Sequence, residues 1–574
     1  LISSRRPEAL LATASIAVAL AAADTYVVVL ALEDMMSGVG LGIDALQKAT
    51  PIISGFLLGY IAVLPLIGRL ADLVSRQRVL LACLALFVVG SAITALSVEL
   101  PVLVTGRVLQ GIGGGGLVPA TLALVADLWP VGKRGTPLGV VGAVQEIGSV
   151  LGPLLGAAVL AIWDWRMIFW INAIAGIVLG LLIWAVGGRG ERSETRSPRH
   201  RWWVIASLLA SAATIVLLGL ALWAPDRLVS DITLGEPFVP YAGHTSRLYT
   251  QIGLWGAIAL AITVAVSVPL WWPVLRRADL IGAALITVAL GSLVLTFSSA
   301  NPEKQVVGPM GWWLLPVAAV AAAAYLWRHH TASAPLIARG VVQGRVRPAL
   351  VVSLLVGTAL VSIVVDIPVL ARLTGTESQT DAALVLVRFL LAVPVGALAG
   401  GWLLRRYGPG LVAAPGLAVT AVGLGFMSSW GKGSLDEFLS TVVLVLVGLG
   451  IGLAIAPVND AALADAPQTD HGVASALVVV GRMIGMVVGL GLLTAIGLHR
   501  FYNKIQSLPN PNGDQVRAAG VVQVQTVFVG AAIAAGVAAV VALMLGRQRV
   551  AHHDLTDETI LDEPVELSSS TGAP

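Results

Sequence analysis

Cysteine is nearly absent. The one residue, Cys83, lies inside an apolar run, so there is no disulfide framework and no redox compartment to read. Charge is scarce too. Charged residues make up 12% of the chain and hydrophobic residues 57%, against about 25% charged in a soluble domain. A soluble globular protein is excluded. No metal-ligand cluster, activated nucleophile or phosphate loop appears, so the expectation is no enzyme and no cofactor beyond an ion gradient. Gly111, Gly113 and Gly116 have the spacing of a dinucleotide fingerprint, but no strand–turn–helix unit surrounds them. The net charge of +3 comes from basic residues in short loops, which set orientation and do not imply nucleic acid.

What the chain has is long apolar runs, enough for about 16 membrane-spanning helices. The sequence thus predicts an all-α polytopic membrane protein. Residues 1–190 hold six spans. Residues 191–347 hold four linker helices with an external loop at 224–249. Residues 348–546 hold six more. The acidic, Ser/Thr/Pro-rich tail, 547–574, reads as disordered. Ser4-Arg5-Arg6 ahead of an apolar run resembles an export signal, but the run continues through Leu32 and reads as a first permanent span. An even number of spans puts both termini on one side, and the basic loops make that side cytoplasmic.

The two six-span blocks read as repeats. The fourth span of each carries a Gly-rich decapeptide ending in proline, 110–119 and 448–457. The fifth spans carry glycines four apart, Gly148 with Gly152 and Gly485 with Gly489, a spacing that lets helices pack backbone to backbone. Pro153 would bend its helix.

Ionisable residues inside spans are the strongest functional pointers. Each costs about 2.5–3.5 kcal/mol near the bilayer centre and so faces a cavity or a partner. They are Asp24, Arg107, Glu146, Asp366, Arg388 and Arg482. Aligning the glycine pairs sets Glu146 opposite Met483, next to Arg482. Glu146 and Arg482 are therefore expected to face one central cavity from opposite halves, with a pairing that changes as the halves rock. A static, helix-orienting ion pair is the alternative. Asp24 is a second candidate for titration. Arg107 is expected to pair with Asp24 or to cap backbone carbonyls in the glycine-rich helix. Asp366 and Arg388 lie nearer the helix ends and are weaker candidates. Trp163-Asp164-Trp165-Arg166 reads as an interfacial anchor.

Residues 68–78 read as a tight charged turn between two spans. Gly68 allows close approach, Asp72 can face the free N–H groups at the start of the next helix or bind an arginine, and Arg69, Arg76 and Arg78 are basic. Gly400-Gly401-Trp402-Leu403-Leu404-Arg405-Arg406-Tyr407-Gly408 echoes the pattern in the second block.

These paired loops resemble the signature of the major facilitator superfamily. Gly106-Arg107-Val108-Leu109-Gln110-Gly111 and Gly148-Ser149-Val150-Leu151-Gly152-Pro153-Leu154-Leu155-Gly156 resemble motifs of its drug:proton antiporters. So does Asp164-Trp165-Arg166 with Phe169-Trp170-Ile171-Asn172. Ala278-Asp279-Leu280-Ile281-Gly282 looks like the start of the linker helices in the fourteen-helix branch. Residues 202–272 add two helices to that pattern. A narrower resemblance, through 24–29, 58–62, 145–153 and 480–486, is to the mycobacterial triacylglyceride exporters of this branch. It implies proton-coupled export of a lipid from the bacterial plasma membrane by a monomer, with a lipid-carrying periplasmic lipoprotein as partner. It also implies that Asp24, Asp72, Glu146 and Arg482 matter for transport. Efflux of small hydrophobic drugs is the alternative within transport, and a non-transporting membrane scaffold or sensor the alternative outside it.

Overall fold

In hydrocarbon every backbone N–H and C=O must be satisfied within the segment, which leaves an apolar run one solution, the helix. The computed structural model describes residues 6–41, 46–130, 133–187, 198–229, 235–241, 246–298, 310–375, 379–508 and 512–546. Among them every regular element is helical. The first half holds α1 (Arg6–Gly38), α2 (Leu46–Ala62), α3 (Leu64–Leu73), α4 (Arg76–Leu96), α5 (Leu100–Leu128), α6 (Gly135–Leu160) and α7 (Arg166–Val186). The linker holds α8 (Pro198–Trp223), a single turn α9 (Asp226–Val229), α10 (Gln251–Leu275), α11 (Leu280–Ser298) and α12 (Gly311–Thr331). The second half holds α13 (Val346–Thr374), α14 (Gln379–Tyr407), α15 (Pro409–Met427), α16 (Phe438–Asp465), α17 (His471–Gln506) and α18 (Gly513–Ala542).

Fourteen helices among the described residues are long and apolar enough to cross a membrane, α2 and α3 together forming one of them. The helices α11 and α12, also expected as spans, are present and pack on each other, α11 as a shorter apolar helix. The expected tail and most of the basic linker 188–201 lie outside the described residues. So do residues 509–511, beyond the end of α17 at Gln506.

The halves repeat one packing scheme. In the first, α1 packs on α6, α2 and α4 on α5, and α4 on α7. In the second, α13 packs on α17, α14 and α15 on α16, and α15 on α18. Lipid tails are as apolar as leucine, so close packing of small residues holds such helices together. Gly148 and Gly152 of α6 lie against the backbone of Ala19 and Ala23 on α1. Their counterparts, Gly485 and Gly489 of α17, lie against Leu354 and Thr358 on α13. Gly156 continues the α6 stripe onto Val27. The side chain of Pro153 lies outside the described residues.

The expected turn over 68–78 differs from the structure. The helix α3 carries Gly68, Arg69 and Asp72, and only Val74 and Ser75 separate it from α4. The interruption falls earlier, at Val63, where Pro65 at the start of α3 has no N–H to donate.

The halves meet along the face where the basic loops lie. There α6 packs on α14 and α3 on α17. A Cβ on Gly135 would stand 2.6 Å from the Gly401 carbonyl, and one on Gly139 2.8 Å from that of Ala397. Farther along α6, Ile147, Leu151, Leu154 and Leu155 are exposed. The pair α8 and α10 packs on itself and is the least buried of the spans.

Candidate functional site

Two buried charge centres and one latch stand out. The first centre lies inside the first half. Asp24 on α1 is fully buried, and its Oδ2 accepts from Arg107 Nη1 on α5 at 2.6 Å. Its Oδ1 accepts from Asn172 Nδ2 on α7 at 2.6 Å and from Gln110 Nε2 at 3.3 Å. Arg107 also donates through Nη1 to Gln110 Oε1 at 3.0 Å and through Nε to the Ile52 carbonyl of α2 at 3.3 Å. Its guanidinium lies 4.4 Å from the centre of the Phe56 ring. Gln110 Nε2 reaches Ser91 Oγ on α4 at 2.9 Å. Arg107 pairs with Asp24 as expected, and the carbonyl it binds belongs to α2, not to its own glycine-rich helix. One satisfied network ties five helices together, the condition under which a buried charge pair is tolerated.

The second centre joins the halves. Arg482 Nη1 on α17 lies 3.6 Å from Glu146 Oε1 on α6. That is an ion pair beyond hydrogen-bond reach, with both side chains nearly buried. Arg482 and Gln145 line a cavity of about 30 Å³ between the halves, walled by α5, α6, α13, α16 and α17; Glu146, expected to face it with Arg482, is not in that lining. The cavity has room for a water or two and none for a lipid.

The latch closes the basic-loop face. Asp72 Oδ1 accepts from Gly472 N at 2.7 Å and its Oδ2 from Val473 N at 3.0 Å. It thus binds the free N–H groups at the start of α17, in the other half, not those of the following α4. Anionic oxygens are favoured at that end of a helix. Arg76 donates to Asp72 Oδ1 at 2.9 Å and to Asp127 Oδ2 at 3.1 Å, and Arg69 to Asp470 Oδ1 at 2.9 Å. A Cβ on Gly68 would stand 2.6 Å from the Gly472 carbonyl, so the seam needs glycine there. Arg78 is exposed.

The weaker candidates stand apart. Arg388 Nη1 on α14 donates to Thr441 Oγ1 at 2.9 Å and to the Leu435 carbonyl at 3.4 Å. Asp366 on α13 is buried, and its Oδ2 has no partner among the described residues. The anchor tetrapeptide does more than lie at an interface. Trp165 is buried, and Arg166 stacks on it and donates to the Ser97 carbonyl at 3.1 Å.

In the sequence, Gln110 and Asn172 stand out only as members of motifs, and Asp127, Asp470 and Gly472 do not stand out at all. A signal existed for Gln110, three residues after Arg107 and so on the same helix face. None existed for Asp470 and Gly472, whose partners are about four hundred residues away.

Two repeated helical halves, a cavity walled by both, a cross-half ion pair and a closed latch on one face define a membrane transporter of the alternating-access kind. The chain matches the family model "Major Facilitator Superfamily" over residues 14–321, and it belongs to that superfamily. It is 36% identical over 519 residues to a triacylglyceride transporter of Mycobacteroides abscessus, covering 87% of this chain and 85% of the relative. It is 35% identical over 505 residues to the triacylglyceride transporter of Mycobacterium tuberculosis, covering 85% and 82%. Its fold is similar to that of the human organic anion transporter MFSD10, with a TM-score of 0.54 at 14% identity, covering 93% of this chain and 99% of that one. The proton:xylose symporter XylE matches with a TM-score of 0.52 at 13% identity, over 92% and 95%.

Proposed function

We propose that this chain is a proton-coupled exporter of a triacylglyceride-like lipid, working by alternating access in a bacterial plasma membrane. The observation that carries the reading is the Glu146–Arg482 pair. It sets opposite charges from the two halves 3.6 Å apart beside a cavity too small for substrate. Protonating Glu146 removes the attraction, frees Arg482 and lets the halves part. Asp24, held by Arg107 and Asn172, is the second carboxylate in the cycle. Gly68, Asp72, Arg76 and Arg78 belong to the gate on the cytoplasmic face. The stripe of Gly148, Gly152 and Gly156 lets α6 turn against α1.

The substrate class rests on the relatives named as triacylglyceride transporters. The basic loops put both termini in the cytoplasm. Residues 1–190 and 348–546 rock as two units about the linker 191–347. The protein works as a monomer and passes lipid to a lipid-carrying periplasmic lipoprotein. No enzymatic step is involved.

Purified protein in vesicles with an imposed pH gradient separates the substrates. A fluorescent triacylglyceride should move when the gradient is applied, and a small hydrophobic dye should move far less. Gradient-driven dye efflux without lipid movement would replace this reading with drug efflux. Movement of neither would end the transport reading.

A further inference from the structure

Beyond joining the two halves, the linker reaches the gate, where α11 leans on the break between α2 and α3. Thr287 Oγ1 of α11 donates to the Ala62 carbonyl at 2.9 Å. Ala62 is the last residue of α2, where helix carbonyls lose their intrahelical partners. Beyond this break α3 carries Gly68, Arg69 and Asp72, the first-half side of the latch.

The linker also touches both sides of the latch. Ala283 of α11, Tyr325 of α12 and Val341 of the following segment form one buried cluster with Val473 and Ala474 at the start of α17, and Leu66 of α3 packs against it. Asp279 ties this assembly together. Its Oδ1 accepts from Gly282 N at 3.2 Å and from Arg328 Nε on α12 at 2.7 Å. Its Oδ2 accepts from Leu336 N at 3.2 Å. Its own backbone holds a φ of +46°, rare for a non-glycine residue and maintained by these three bonds.

We propose that Thr287 is a positioning residue for the gate: its hydroxyl, bonded to the Ala62 carbonyl at the α2–α3 break, holds α3 in the latched orientation, so that the linker pair sets the balance between latched and open states. The linker is then a splint on the hinge, and the hinge moves the gate. The inference rests on the alternating-access reading.

The test is a distance. Spin labels at Ser75→Cys and Gln468→Cys, both exposed positions on either side of the latch, in a Cys83→Ser background, report the gate by double electron–electron resonance. Thr287→Val removes the hydroxyl and keeps the shape. It should shift the latched-to-open ratio toward open by about fivefold, the effect of one hydrogen bond. Thr287→Ser should restore the parent distribution, and Thr287→Ala should reproduce the shift if the valine variant folds poorly. Asp72→Ala calibrates the open signal. If Asp72→Ala widens the distribution while Thr287→Val and Thr287→Ala leave it unchanged, the role of Thr287 is wrong and the gate stands. If none of the three widens it, the gate and the inference both fall.

Discussion

Single charged side chains in an apolar setting decide what this molecule can do. Asp24 is tolerated in its apolar setting because three donors from two other helices converge on it. Removing one donor has a predictable cost. Asn172→Leu leaves Oδ1 with only the longer Gln110 bond, and should destabilise the fold by about 1–3 kcal/mol, read as a lower thermal midpoint in detergent. Arg107→Ala should cost more, about 3–5 kcal/mol, because it leaves a buried carboxylate without its counter-charge. Equal midpoints for the two variants would contradict this ordering. The ionisable members of both centres were legible in the sequence, since such a residue within an apolar run is rare and costly. Asn172 was not, because an uncharged amide costs little in a helix and looks the same whether or not it holds a carboxylate.

Among the elements, α3 carries the most consequence. Its sequence reads as a loop because charge and glycine gather there, but the residues stay helical and the charges face the other half. The break at Val63 was illegible for a related reason: a proline two residues later is compatible with a helix start as well as with a helix interior. The latch depends on backbone contact between α3 and α17. Gly68→Val would place a side chain against the Gly472 carbonyl, and α3 should no longer seat. Ser475, buried behind the latch and bonded to the Pro119 carbonyl at 3.1 Å, reports this event. In a Cys83→Ser background, a cysteine at Ser475 should react severalfold faster with a water-soluble maleimide when Gly68→Val is present. An unchanged rate would show that the seam does not depend on this approach.

On the scale of the whole molecule, two copies of one helix-packing scheme bring Glu146 and Arg482 together from opposite halves. The matching glycine pairs on α6 and α17 made that legible, because the same spacing sets the same depth in each half. The seam itself was not, since contacts between distant segments leave no local pattern. A static ion pair and a coupling pair have the same geometry, and only transport separates them. The direct measurement is lipid movement into and out of vesicles carrying wild-type protein or Glu146→Gln, with and without an imposed pH gradient. The account predicts that Glu146→Gln still folds, with a thermal midpoint lowered by the unpaired Arg482, still exchanges lipid without a gradient and loses gradient-driven accumulation. Full gradient-driven accumulation by Glu146→Gln would contradict it.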